Sequence, residues 1–464
     1  MHAILGTIAS AARPLRDDGG LAVPIRCAGM RKRKSVLPAR HFHASGANSR
    51  SYSVHQNRKT TNFFRNACPI RIAPYHTLRS AFFLSRQRTL IIMQVNWRHI
   101  HAARNSYAVL AAACEKEGFA LNRVDGPDDD ITCYSLNSLN AAQYQDEIAS
   151  AGCLTIVGGP HATALPTEVA AYADYVIVGE GEFTLPRLLA DIQKGGGGKI
   201  PGVMKGGWYQ PADTGVRLDA YPAFSEIKGY VEISRGCPFS CGYCQTPRIF
   251  GHCMRHRSVD EIVRYTSRHK EARFVSPNAF AYGSDGIHPR WDKVEALLKA
   301  CKNQIFFGTF PSEVRPESIC KESLALVHRY CANTKLHFGA QSGSDAVLKK
   351  LGRGHSVADV LAALDLFSDF SFEPVVDFIV GLPFETDDDQ RQSLDLIRAV
   401  ARTGTIHVHR FIPLPGTPLA NLPARSLLPE TEKLCGSLAL TGKVTGSWND
   451  PEIRFFRRPS NDIP

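Results

Sequence analysis

From Met93 onward, short β-branched runs alternate with stretches whose apolar residues recur at helical spacing, and this alternation predicts parallel βαβ units. In the first half the runs read QVNWRHI from Gln94, ITCYS from Ile131, LTIVGGPH from Leu154 and YVIVGEGE from Tyr175, with helices over 105–117 and near 140–150. Each run ends in glycine or small polar residues, where ligands sit in open parallel sheets. Gly158 and Gly159, then Gly179, Glu180 and Gly181, fall at such ends. Glycines there either admit a flat or phosphate-bearing cofactor to the backbone or only make tight βα turns. Residues 93–194 are thus expected to form a Rossmann-like parallel sheet.

The run Gly195–Gly198, followed by Pro201 and Gly202, marks a break, and 195–225 reads as a linker. A second series follows: VEISRG from Val231, RFVSPNAF from Arg273, QIFFGTF from Gln304, KLHFGAQS from Lys335, PVVDFIVGLP from Pro374 and TIHVHRFIPLP from Thr405. Helical patterns lie between them near 258–269, 291–301, 317–330, 356–368 and 388–401. Six strands with intervening helices are fewer than the eight of a full barrel. The expectation is an α/β chain whose second part, 226–420, is a partial (β/α)6 TIM-type barrel with its chemistry at the C-terminal strand ends. Residues 421–464 read as a tail without a clear pattern.

Charge alters this picture only at one end. The chain of 464 residues has a formal charge of +11, but residues 1–92 hold sixteen Lys and Arg against Asp17 and Asp18 alone, and the remainder is at −3. That segment, which includes Arg31-Lys32-Arg33-Lys34, has no lasting periodicity and is expected to be a disordered basic extension. Its Arg-rich, acid-poor composition fits an organelle transit peptide, while Met93, immediately before the first patterned run, fits a native start with 1–92 upstream of it. A basic nucleic-acid-binding arm is the third reading. The nearly neutral body gives no charge argument for a nucleic-acid partner, and no run of ~18 apolar residues exists to span a membrane. The thirteen cysteines are odd in number and concentrated in one place, which points inside the cell. The expected location is cytoplasmic, with organelle targeting by residues 1–92 left open.

The strongest chemical signal follows the first strand of the second series: Cys237-Pro-Phe-Ser-Cys241-Gly-Tyr-Cys244, spacing C-x3-C-x2-C. Three thiolates so close in a loop can converge on one metal centre. Zinc is one reading, with Cys253 or His252 closing a tetrahedral site. A [4Fe–4S] cluster is the other, because three cysteines leave one iron without a protein ligand and open to substrate or cofactor. The place, at the C-terminal end of a barrel strand, favours the second.

Here the chain strongly resembles the radical S-adenosylmethionine enzymes, whose signature is this spacing with an aromatic residue before the last cysteine, here Tyr243. ISRGCPFSCGYC, RFVSPNAFAYG (273–283), FGAQSGSDAVLKKLGRGH (338–355), DFIVGLPFET (377–386) and HRFIPLPGTP (409–418) resemble successive strand-end motifs of that superfamily. IVGGPHATALP and DYVIVGEGEFTLPRLL resemble the cobalamin-binding domain that precedes the barrel in many of its members. The resemblance implies that Cys237, Cys241 and Cys244 bind three irons of a [4Fe–4S] cluster whose fourth iron chelates S-adenosylmethionine. Reductive cleavage then gives a 5′-deoxyadenosyl radical that abstracts a substrate hydrogen. Tyr243 would lie near the adenine, Asn278, Gln341 and Ser342 near the methionine or ribose, and Gly381 would give the adenine close backbone access. Glu313 and Arg315 form an opposite-charge pair that could meet the methionine moiety, or a solvated loop ion pair.

For cobalamin, Ser135 fits the position of a serine that contacts the nucleotide tail, beside Gly158, Gly159, Gly179, Glu180 and Gly181. The D-x-H-x-x-G motif that supplies a lower histidine ligand is missing, since His99, His101 and His161 all lack an aspartate two positions earlier. That departure fits cobalamin bound without a protein histidine, and equally a domain that has lost the cofactor. Three functions follow from the resemblance. The first is cobalamin-dependent methyl transfer to an unactivated carbon of a small-molecule substrate, with an electron donor such as flavodoxin or ferredoxin. The second, suggested by QSGSDAVLKKLGRG, is methylthiolation of tRNA or protein, which needs an auxiliary cluster on three further cysteines. Cys114, Cys133 and Cys153 stand in the first domain, but at spacings unlike that family's. The third is a non-catalytic cobalamin or redox sensor.

Overall fold

The computed structural model describes residues 93–212 and 217–449. The expectations for the basic extension lie outside these residues. In the first domain β1 (Val95–Arg98), β2 (Leu121–Val124), β3 (Ile131–Ser135), β4 (Leu154–Gly158) and β5 (Tyr175–Ile177) run parallel in the order β2-β1-β3-β4-β5. Helices α1 (Arg104–Lys116), α2 (Ala141–Ala149), α3 (Pro160–Ala164), α4 (Pro166–Val169) and α5 (Gly181–Gln193) connect and cover them. Ile131, Cys133, Ile156, Val157 and Val176 are buried in the sheet and pack on Leu185, Leu188 and Leu189 of α5. Two strands escape the apolar pattern. β2 is an edge strand that exposes Asn122 and Arg123, and β6 (Val203–Met204) adds an antiparallel edge to β5 from within the glycine-rich stretch. The first domain therefore runs on through Met204, into what reads as linker.

The second domain opens with β7 (Val231–Glu232), from which the chain turns aside into an antiparallel pair, β8 (Ser234–Arg235) and β9 (Arg255–His256). The cysteine loop and α6 (Thr246–Phe250) lie between those two short strands. Then come α7 (Val259–Thr266), β10 (Glu271–Val275), α8 (Trp291–Ala300), β11 (Gln304–Phe306), α9 (Lys321–Tyr330), β12 (Lys335–Gln341), α10 (Asp345–Leu351), α11 (Val357–Phe367), β13 (Glu373–Val380), α12 (Asp387–Thr403) and β14 (Thr405–Arg410). The α12 start shows how locally this order is set. Thr386 Oγ1 accepts from Asp389 N at 3.1 Å, and the Asp389 carboxylate accepts from Thr386 N at 2.8 Å, a capping box. Asp387, Asp388 and Asp389 place negative charge at the positive end of the helix dipole.

All barrel strands pair parallel, as β7-β10-β11 and β12-β13-β14. The two groups are joined where His337 N donates to Gly308 O at 2.8 Å and Val314 N to His337 O at 2.9 Å. A seventh strand corrects the six-strand expectation: α13 (Pro429–Leu440) leads to β15 (Val444–Ser447), which pairs parallel with β14. The described part of the presumed tail thus completes the barrel wall. VTGS has no apolar run to reveal it. Gly446 fits because a Cβ there would meet Val408 O at 2.1 Å. Among the described residues no helix is long and apolar enough to cross a membrane.

Candidate active site

The cysteine loop begins where only glycine fits. Gly236 has φ of +88°, and a Cβ on it would lie 2.2 Å from Cys253 O. Beyond it the backbone is tied at four points. Cys237 N donates to Gly251 O at 3.1 Å, Cys244 N to Cys241 O at 3.1 Å, Gly242 N to Leu351 O at 2.8 Å and Leu419 N to Gly242 O at 3.3 Å. The loop is therefore held from α10 and from the segment after β14. Burial pushes the Cys237 thiol up to about 11, so a bound metal is what would hold it as thiolate.

Arg353 ties this loop to the barrel. Its Nη1 lies 3.1 Å from Tyr243 Oη and 3.9 Å from Cys241 Sγ, and its Nη2 donates to Gly339 O at 2.8 Å. Burial opposes its charge, but Tyr243 and Cys241 nearby raise its pKa above the ordinary arginine value. A buried guanidinium at this point offsets negative charge on the loop. Among the described residues no three His, Cys, Asp or Glu side chains close around a single ion. A cubane asks for a different arrangement, with each thiolate on its own iron, and three cysteines on one tied loop fit that donor set.

Cys244 and Tyr243 line one wall of a barrel cavity of about 890 Å³, large enough for a cofactor-sized ligand. Gln341, Glu313 and Asp377 line it too. Gln341 ends β12 at φ of +68°, left-handed for a residue that is not glycine. The charges at 313 and 315 do not pair, which overturns that expectation. Arg315 instead bonds Glu317 and stacks on Phe239 at 3.5 Å, while Glu313 faces the cavity. Burial pushes the Glu313 carboxyl up to about 7, and burial with Glu313 nearby raises Asp377 well above the usual carboxylate range.

The other barrel positions singled out from sequence are engaged within the fold. Asn278 caps the turn at Ala279–Ala281 and donates to Ser318 Oγ at 3.1 Å. Ser342 Oγ meets Ser393 Oγ at 3.2 Å. Gly381, at φ of +76°, faces Arg425 O, which a Cβ would approach to 2.8 Å. Sequence reasoning missed Arg353 and Asp377, although both stand inside quoted motifs; their inward direction had no sequence signal.

In the first domain Ser135, Gly158, Gly159, Gly179, Glu180 and Gly181 all line a single cleft at the strand ends, of about 130 Å³. Ile249 and Phe250 of α6 close it, and Arg235 of β8 lines it as well. Gly159 has φ of +98°, and a Cβ there would meet Leu136 O at 2.5 Å and Ser135 Oγ at 3.0 Å. Gly159→Ala is expected to cost about 1–3 kcal/mol through strained backbone and overlap, measured as a lowered midpoint in denaturant. His161, just beyond, is buried and lies 3.4 Å from Glu168.

A parallel sheet with a strand-end cleft, joined to a partial barrel whose first strand delivers three cysteines beside a large cavity, defines a two-domain cofactor protein of the cluster-loop type. Residues 231–397 match the family model "Radical SAM superfamily", and the barrel of this chain is a radical SAM domain. The chain is 29% identical over 260 residues to the threonylcarbamoyladenosine tRNA methylthiotransferase MtaB of Thermotoga maritima, covering 51% of this chain and 56% of that one. It is 27% identical over 314 residues to the tRNA-2-methylthio-N(6)-dimethylallyladenosine synthase of Anaplasma phagocytophilum, covering 63% and 66%. The chain thus spans little more than half the length of the first curated relatives it matches. Among solved structures it resembles the radical S-adenosylmethionine methyltransferase TsrM from Kitasatospora setae with cobalamin and [4Fe-4S] cluster bound, at TM-score 0.54 and 15% identity, covering 71% and 74%. It also resembles the cobalamin-dependent S-adenosylmethionine radical enzyme OxsB, at TM-score 0.53 and 17% identity, covering 77% and 57%. At these identities the likeness is one of fold alone.

Proposed function

We propose that the chain is a radical S-adenosylmethionine enzyme that also uses cobalamin and transfers a methyl group to an unactivated carbon. Cys237, Cys241 and Cys244 would hold a [4Fe–4S] cluster, which when bound supplies one-electron reduction of the sulfonium of S-adenosylmethionine. The chain's own residues bind, orient and exclude water. The tied loop fixes the three thiolates, Arg353 offsets their charge, and Tyr243 with Gln341 forms the wall beside Cys244. S-adenosylmethionine carries an ammonium, a sulfonium and a ribose diol. Glu313 and Asp377, two cavity-facing carboxyl groups with no ion pair among the described residues, suit the hydroxyls and would ionise beside a bound cation.

The observation that carries the cobalamin part is the convergence of six strand-end residues on one cleft, which Arg235, two positions before Cys237, also lines. The cleft volume suits the flat base of a nucleotide tail, being smaller than the ~300 Å³ at which ligand pockets usually begin.

The second reading, methylthiolation, is favoured by the curated relatives. Against it stand the first-domain cysteines. Cys114 and Cys133 are buried in the sheet core, where burial pushes the Cys114 thiol up to about 12 and Cys133 well above its ordinary value. Such thiols behave as small core hydrophobes rather than cluster ligands.

Anaerobic reconstitution with iron and sulfide, then titration with hydroxocobalamin, separates the readings. One bound cobalamin per chain and 5′-deoxyadenosine formed with dithionite are expected. A second cluster, with no cobalamin retained, would replace methyl transfer by methylthiolation, and stoichiometric zinc without an iron chromophore would end both readings.

A further inference from the structure

The cavity does not stop at the carboxylates. It continues down the barrel to Asn333, Thr334 and Lys335, at the N-terminal end of β12. Strand register orders its wall. Gly339, Asp377, His407 and Thr445 are level with one another, and His337, Val375 and Thr405 form the next inward rung below, about 6.6 Å deeper. Arg273 of β10, paired in register with Phe306 of β11, lines the same lower part.

The polar groups change character along this path. The upper rung carries the acceptor Asp377 with Glu313 beside the same cavity, and His407 at the same level as Asp377, whereas the part below has the donors Arg273 and His337. Arg273 stacks over the Phe306 ring at 4.1 Å, and among the described residues its hydrogen bonds are long ones, 3.5 Å to Thr309 Oγ1 and 3.5 Å to Glu271. An arginine has five N–H donors and no acceptor, so most of its capacity is directed to the cavity or to water. The His337 imidazole makes no hydrogen bond among the described residues. His407 uses Nδ1 on Thr445 Oγ1 at 2.7 Å, and its Nε2 has no partner there. Lys335 pairs closely with Glu373 and Arg273 more loosely with Glu271 at 3.5 Å, so Arg273 keeps more donor capacity of the two. Burial pushes His337 down to about 3 and His407 down to about 4, with Arg273 and Lys335 adding to the depression at His337. Both imidazoles are neutral hydrogen-bonding groups at working pH.

We propose that this lower half of the cavity binds an anionic group of the substrate, a carboxylate or a phosphate, between Arg273 and His337, with His407 facing it from the rung above. The substrate class is then a small organic anion, held at its charged end deep in the barrel so that its reacting carbon points up toward the cysteine loop. The aromatic Phe306 keeps the guanidinium flat for a two-point contact with two oxygens of the anion. This assignment rests on the radical-enzyme reading for the upper half of the same cavity.

The test uses the full chain, anaerobically reconstituted, with S-adenosylmethionine present. Binding of inorganic phosphate, of butanoate and of the neutral butanamide is measured by isothermal titration. At least one anion is expected to bind roughly tenfold or more tighter than the amide, the factor a hydrogen bond to a charged group supplies. Preference for phosphate assigns a phosphate ester, and preference for butanoate a carboxylic acid. Arg273→Gln should erase the discrimination, and His337→Phe should reduce it in a protein that keeps the iron–sulfur chromophore as evidence of folding. Equal binding of amide and anions, or a preference that survives Arg273→Gln, overturns the proposal. Dithionite-dependent 5′-deoxyadenosine formation by the unaltered protein is measured in parallel. Its loss would refute the radical-enzyme reading, whereas its presence with no anion preference would refute the substrate assignment alone.

Discussion

Cys241→Ala is expected to abolish both the iron–sulfur chromophore and 5′-deoxyadenosine formation while leaving the chain folded. Cys241 is 5% exposed, with Sγ 3.8 Å from Gly352 O and 3.9 Å from Arg353 Nη1, so the loss of packing is that of one small buried atom. The loop keeps its backbone ties, because none of the four uses a side chain. Loss of one of only three protein ligands should exceed the ~10–100-fold penalty typical of groups that merely orient a ligand. Arg353→Gln supplies that comparison. It removes the guanidinium beside Cys241 Sγ and Tyr243 Oη, and cluster retention should fall within that lower range. Iron and sulfide content per chain, read with the visible spectrum, ranks the three proteins. A Cys241→Ala protein with full iron content would refute the ligand assignment.

The legibility of this site in the sequence was uneven, for physical reasons. Six barrel strands could be read because their apolar residues run nearly continuously, as in PVVDFIVG, or alternate, as in TIHVHR. β15 could not, since VTGS packs through a glycine against the Val408 backbone and needs no apolar run. The cysteine spacing revealed the loop because its three ligands are close in sequence. Arg353 reaches the same place from the turn after α10 and Asp377 from β13, and only strand register tells which way Asp377 faces. At the first-domain cleft the glycines and Ser135 came from strand-end position, which the parallel sheet enforces. Asn278 and Ser342 also stand at strand ends, yet a turn cap and a hydroxyl pair hold their side chains. Position in a strand thus identified the rim, and side-chain hydrogen bonding decided which rim residues remain available. The 313–315 pair failed for the same reason, because Glu317 and Phe239 compete for Arg315.

Arg235→Ala should destabilise the chain more than Gly159→Ala in the same cleft. Arg235 stands two residues before Cys237 and is buried among three carboxylates. Its Nη1 donates to Glu180 at 2.8 Å, Nη2 to Glu182 and to Glu232 at 2.6 Å each, and Nε to Glu232 at 2.9 Å. Burial works against its charge, but Glu182 and Glu232 outweigh that and hold its pKa well above the ordinary value. Glu180 and Glu182 belong to the first domain and Glu232 to β7, so one guanidinium joins the two halves at the root of the cysteine loop. Removing it leaves the buried carboxylates with Arg255, bonded to Glu180, as counter-charge, and breaking such a buried network costs about 3–5 kcal/mol. Arg235→Lys keeps the charge but loses the planar fork that reaches three partners, so its loss should be intermediate. Arg235→Met combined with Glu182→Gln and Glu232→Gln removes the unbalanced charge along with the cation and should recover much of the stability. Denaturant midpoints of the four proteins read this order directly. The same series followed by iron content tests whether the clasp also sets the cysteine loop: Arg235→Ala should retain less cluster than the triple variant. Equal midpoints for Arg235→Ala and the unaltered protein would show that the two domains dock without it.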